Sequence, residues 1–156
     1  MKISVIQIGK THFNFVDEGV KLFENRLKHY ARFEQKFLEL PSRHRSTDAT
    51  VLKKMEGELL LKNITPTDYL ILLDENGQSY DSRQFASLLG KWQVHHPSIV
   101  FVVGGAYGFS DEVYKRANMK LSLSAMTFSH QLIRLIFMEQ LYRAFTILRG
   151  EPYHHD

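Results

Sequence analysis

Two runs in this chain, Tyr69-Leu70-Ile71-Leu72-Leu73 and Ile99-Val100-Phe101-Val102-Val103, offer no polar face. A strand that is half exposed alternates apolar and polar residues. A strand that is apolar on both sides has to be covered on both sides, and parallel sheets flanked by helices supply that cover. The surrounding sequence agrees. Candidate strands at 2–8, 34–40, 68–73, 99–103 and 119–123 alternate with candidate helices at 14–29, 48–63, 82–94, 110–117 and 131–149. This alternation predicts an α/β fold with a mainly parallel five-stranded sheet and helices on both faces. A length of 156 residues fits one domain, 1–156.

Local punctuation supports these boundaries. Asp74-Glu75-Asn76-Gly77 reads as a turn after the third strand. Asp81 and Gln84 form a candidate capping pair, and Ser110-Asp111-Glu112 places a cap and two acids at a helix start. Gly150 and Pro152 end the last helix. In open α/β sheets ligands sit beyond the carboxyl ends of the strands. Three late loops, 74–80, 104–109 and 124–130, are therefore expected to converge on one pocket.

Composition narrows the function classes. The chain has no Cys, which excludes disulfides and thiolate metal sites and suits a reducing compartment. Met1-Lys2 leads straight into a strand-like run, so no signal peptide is expected, and no apolar run reaches the length of a membrane span. The expected location is cytoplasmic. Neither a zinc-protease His pattern nor a nucleophile elbow is present, and no metal is expected. The net charge of +3 is mild. Arg43, Arg45 and Lys53 are candidate phosphate contacts, or simply a solvated surface.

The last third of the chain carries the candidate chemistry. Gly104, Gly105 and Gly108 lie between a strand and a helix start, where they either let a ligand approach the main chain or make a tight turn. The segment 131–148 is apolar on nearly all sides, so it needs cover on more than one face. A dimer interface is expected there, with a central core helix as the alternative. Its polar residues Glu139, Arg143 and Thr146 share a stripe, and Glu139 and Arg143 are an i,i+4 pair. Arg134 stands alone among apolar residues, four positions after His130, and is either paired structurally or aimed at an anionic ligand. The ending Pro152-Tyr153-His154 joins a rigid, a stacking and a titratable residue.

Taken together, strand-Gly104-Gly105-x-x-Gly108, then Leu121-Ser122-Leu123-Ser124-Ala125-Met126-Thr127-Phe128, then His130-x-x-x-Arg134, Glu139-Gln140-Leu141-Tyr142-Arg143 and Pro152-Tyr153-His154 resemble the bacterial RlmH family. These are large-subunit ribosomal RNA pseudouridine N3-methyltransferases of the SPOUT, or α/β-knot, superfamily. The resemblance runs from end to end. It implies a C-terminal trefoil knot, a homodimer, and S-adenosylmethionine held mostly by main chain at Leu73, Gly104, Leu123, Ser124, Ala125, Met126, Thr127 and Phe128. It implies ribosomal RNA on assembled ribosomes as the partner. Within that frame Arg134, His154, Tyr142 and Glu139 are the catalytic candidates, and His130, Arg143, Tyr153, Arg43 and Arg45 the RNA-binding ones. Two positions depart from the family's common pattern. Ser129 stands where many relatives have Pro, and His155 where many have a terminal cation. A non-catalytic nucleotide-binding α/β module that acts by dimerising or docking is the alternative reading.

Overall fold

The computed structural model describes residues 1–44 and 48–156. One five-stranded sheet, every strand pair parallel, forms the middle layer in the order β2-β1-β4-β3-β5. The strands are β1 Lys2–Ile8, β2 Arg32–Leu38, β3 Tyr69–Ser79, β4 Ser98–Val103 and β5 Met119–Ser122. The helices are α1 Asn14–Leu27, α2 Ala49–Lys62, α3 Ser82–His95, α4 Asp111–Arg116 and α5 Leu132–Leu148, with a single 3-10 turn at Ser42–His44. All five strands and five helices read from the sequence are present, displaced by a few residues at their ends.

The two apolar strand faces account for the two cores. Side chains alternate across a strand. Ile3, Val5, Ile71, Ile99, Phe101 and Val103 therefore pack under α1, α3 and α5. Ile6, Ile8, Leu70, Leu72, Val100 and Val102 pack against Leu60 of α2 and Val113 of α4. The capping pair is a true capping box: Asp81 accepts from the Gln84 N–H, and the Gln84 side chain accepts from the Asp81 N–H. Ser110 caps α4 by accepting from Val113.

One expectation changes. Asp74-Glu75-Asn76-Gly77 is not a turn. β3 continues through it to Ser79, with an irregularity in its pairing to β5 between Leu73 and Gln78. Gly77 makes this possible, because a Cβ there would stand 2.6 Å from the Lys120 carbonyl carbon. The turn-forming residues thus serve as an irregular strand segment pressed on its neighbour. α5 packs on the sheet and against both α1 and α3. Leu132 and Leu148 remain exposed on it. Among the described residues no helix is long and apolar enough to cross a membrane.

Candidate functional site

The carboxyl ends of β3, β4 and β5 open into a cleft of about 580 Å³. That size suits a small-molecule ligand. Its walls are Leu73 to Asn76 of β3, Val103 to Phe109 after β4, and Leu121 to His130 after β5, with Ala125 standing outside the lining. Parallel strands deliver all three segments to the same edge of the sheet, which is why loops far apart in sequence meet. The β4 loop closes on itself: Gly108 donates its N–H to the Gly105 carbonyl at 3.3 Å, and its φ of +79° is one that glycine adopts without strain.

The electrostatics of the cleft are one-sided. Asp74 and Glu75 line it, and among the described residues no Lys or Arg does. The Asp74 carboxylate is fixed at both oxygens, accepting from the Asn76 N–H at 2.8 Å and from the Tyr114 hydroxyl. Burial and the neighbouring Asp74 push the Tyr114 pKa up to about 12, so this phenol stays a donor. His130, expected on the RNA side, lines the cleft. Its pKa is lowered by desolvation first, then by the charges of Arg134 and His12. That favours the neutral imidazole.

Arg134 does not reach the cleft. It is 0% exposed and donates to the Ile8 carbonyl at 2.7 Å, the Gly9 carbonyl at 3.0 Å and the Thr11 hydroxyl at 3.0 Å. Burial lowers its pKa to about 10, which leaves it charged at neutral pH. Gln131 does similar work one step earlier, donating to the Lys10 carbonyl at 2.9 Å and accepting from the His12 N–H at 2.8 Å. Together they clamp the loop after β1 to the start of α5. Ser129 also contributes there, because its hydroxyl accepts from the Leu132 N–H at 3.0 Å, a cap that Pro could not provide.

The remaining candidates form a second cluster, on α5 and the tail. Glu139 Oε1 accepts from Arg143 at 2.6 Å and from the Tyr153 hydroxyl at 3.0 Å. Arg143 lies 4.9 Å from the Tyr153 ring centroid and donates to His154 Nδ1 at 3.1 Å. Arg has no acceptor atom, so Nδ1 must accept, which leaves the ring proton on Nε2. Nε2 sits 3.2 Å from Asp156 Oδ1, where that proton finds its partner. Asp156 is in turn gripped by Arg83 at both oxygens. Tyr142 meets the edge of Tyr153 at 4.7 Å between centroids. A groove of about 460 Å³ runs from the cleft toward this cluster's edge at Gln140. It shares Leu123, Ser124 and Phe128 with the cleft and ends at Gln140, which donates to Glu139 at 2.8 Å.

Arg43 stands apart from both sites, in the 3-10 turn beyond β2, the edge strand opposite β5. Arg45 lies outside the described residues. Sequence reasoning placed Asp74 and Glu75 in a loop expected at the pocket without giving them a role, and missed Tyr114, Gln131 and Arg83. Asp74 and Glu75 carried a usable signal, since they directly follow an all-apolar strand at the end where ligands bind. Tyr114, Gln131 and Arg83 act through contacts that no spacing reveals.

Comparison with known proteins places these features in context. The family described as "Predicted SPOUT methyltransferase" matches residues 1–154. The protein called ribosomal RNA large subunit methyltransferase H from Parabacteroides distasonis is 51% identical over 157 residues, covering 100% of both chains. Its namesakes from Christiangramia forsetii and Flavobacterium psychrophilum are 46% and 48% identical, covering 99% and 100% of both chains respectively. The crystal structure of a probable methyltransferase from Bordetella pertussis superposes with a TM-score of 0.55 at 13% identity, covering 92% of this chain and 93% of that one. At that identity the likeness concerns the fold.

Proposed function

The chain belongs to the SPOUT methyltransferase family, and from that premise we propose that it methylates N3 of a pseudouridine in large-subunit ribosomal RNA, using S-adenosylmethionine. The observation that carries this reading is the cleft at the ends of β3, β4 and β5, lined by the expected loop segments, in a chain half identical to a protein named a ribosomal RNA large subunit methyltransferase. The donor's cationic sulfonium fits a cleft whose ionised lining is Asp74 and Glu75. The reading also carries a cytoplasmic homodimer, the superfamily's knot around the cleft, and assembled ribosomes as substrate.

S-adenosylmethionine supplies a methyl group on an activated sulfur, open to in-line attack by a ring nitrogen. The chain's part is to align that nitrogen and remove its proton. Main chain around Leu73, Gly104, Leu123, Ser124 and Met126 to Phe128 would hold the donor. Asp74, fixed by Tyr114 and Asn76, keeps a negative potential beside it. The groove from Phe128 to Gln140 admits the base. His154 accepts the N3 proton at Nδ1 once Arg143 turns from it toward RNA, and Asp156 stabilises the imidazolium at Nε2. Glu139 orients Arg143 and Tyr153. Arg134 works by positioning: it fixes the start of the helix that carries these groups.

Mass mapping of ribosomal RNA from a strain lacking the gene, with add-back of purified protein and S-adenosylmethionine, tests the reading. It predicts one missing methyl on a pseudouridine, restored by add-back. An unchanged modification pattern overturns it.

A further inference from the structure

The far ends of α1 and α5 carry an arrangement that extends beyond Arg143 and Tyr153 to two arginines, Arg26 and Arg149, to which the catalytic reading gives no role. Tyr142 is its hub. Its ring centroid lies 5.7 Å from Phe23, 5.8 Å from Tyr30 and 4.7 Å from Tyr153, the last two in edge contact. Three guanidinium groups sit over these rings. Arg26 lies 5.3 Å from the Tyr142 centroid and 5.4 Å from that of Phe23. Arg149 lies 4.3 Å from Tyr30, and Arg143 4.9 Å from Tyr153. Cation–π contact holds an arginine in place without using its hydrogen-bond donors.

The three differ in what those donors meet. Arg143 is neutralised by Glu139. Among the described residues Arg26 makes no hydrogen bond or ion pair. Arg149 spends one donor on the His29 carbonyl at 3.3 Å and meets no carboxylate among the described residues. Glu24 is paired with Lys28 and accepts from Gln35, while Glu151 accepts from the Tyr30 hydroxyl at 2.6 Å. Two oriented guanidiniums without a carboxylate partner among the described residues therefore remain, on rings continuous with Tyr153 of the tail.

We propose that Arg26 and Arg149 bind backbone phosphates of the RNA strand on the side of the target nucleotide where Tyr153 lies. This rests on the RNA-methyltransferase reading of the tail cluster. A guanidinium held over a ring, with all its donors free among the described residues as in Arg26 or all but one as in Arg149, is suited to a phosphate's oxygens. Lack of neutralisation also makes the pair a long-range attractor for a polyanion.

The test compares Arg26→Gln, Arg149→Gln, the double variant and Arg26→Lys with the unaltered protein, using unmethylated ribosomal particles at several salt concentrations. The double variant is expected to raise KM for particles about tenfold, with kcat within about twofold, and to make the salt dependence of binding shallower by one to two counterions. S-adenosylmethionine affinity and melting temperature should not move. Arg26→Lys should keep most of the salt dependence. An unchanged KM and salt slope overturns the proposal. A change from dimer to monomer in the glutamine variants would assign the arginines to a protein contact instead, and a matching loss of donor affinity and melting temperature would assign them to packing. If the unaltered protein neither binds nor methylates the particles, the functional reading itself falls and this inference goes with it.

Discussion

Arg134 donates a 2.7 Å hydrogen bond to the carbonyl of Ile8, 126 residues earlier in the chain. The contact ties the first turn of the last helix to the carboxyl end of the first strand. It sits beside the cleft without lining it, so Arg134 governs the site by fixing the walls around it.

Replacing Arg134 with Ala should therefore destabilise the whole protein. Two carbonyls would lose a charged donor in the interior, which costs about 3 kcal/mol. For a chain of this size that corresponds to a drop of about 6–12 °C in melting temperature. Thermal unfolding with and without S-adenosylmethionine checks it. A variant with unaltered melting temperature and lost turnover would return Arg134 to direct chemistry.

Acidification should weaken donor binding through His130. Its folded-state pKa lies below the ordinary 6.5, so just under that value the unfolded chain holds more protons than the folded one. Stability then rises with pH in that window and falls as the solution is acidified through it. Below the lowered pKa the imidazolium adds a positive charge to a cleft that receives a cationic donor. Calorimetric affinity for S-adenosylmethionine should decline from pH 7 toward 5, and His130→Gln should flatten the decline. A profile identical in the two proteins would remove His130 from the site.

Tyr114→Phe should leave the fold intact and reduce donor affinity about fivefold, the weight of one partly exposed hydrogen bond to a carboxylate. Asp74→Asn should cost at least as much, because it removes the charge that Tyr114 holds in place. Titration of both variants with S-adenosylmethionine and S-adenosylhomocysteine is the measurement. The Asp74 change should hurt the cationic donor more than the neutral product, and equal losses would argue against an electrostatic role.

Ending the chain at Pro152 should impair RNA methylation more than donor binding. It removes the Tyr153 hydroxyl from Glu139 and the imidazole from Arg143, while the cleft walls stay untouched. Single-turnover methyl transfer and calorimetry on the truncated protein separate the two effects. Parallel loss of both would show that the tail supports the fold more than the chemistry.

How far the site was legible varies by residue. The loops 74–80, 104–109 and 124–130 were legible at the cleft from strand order, because parallel strands end together, whereas Leu73, Gly104 and Leu123 were legible from the family resemblance. Glu139 and Arg143 were legible from helical spacing. Arg134 was legible only as a question, since its partners lie at the other end of the chain. The roles of Asp74 and Glu75 were hidden by their turn-forming character, which yields here to the pairing of β3 with β5.

By itself the sequence determined the layers. Apolar periodicity and capping are local properties, and they fix five strands, five helices and the burial of both sheet faces. Tertiary structure alone decided which polar groups share a space. It sealed Arg134 on main-chain oxygens, turned His130 into the cleft, drew His154 between Arg143 and Asp156, and left Arg26 and Arg149 without a carboxylate partner among the described residues. The contacts of Arg134, Arg26 and Arg149 depend on distances between segments more than a hundred residues apart, and no local pattern in the chain encodes those distances.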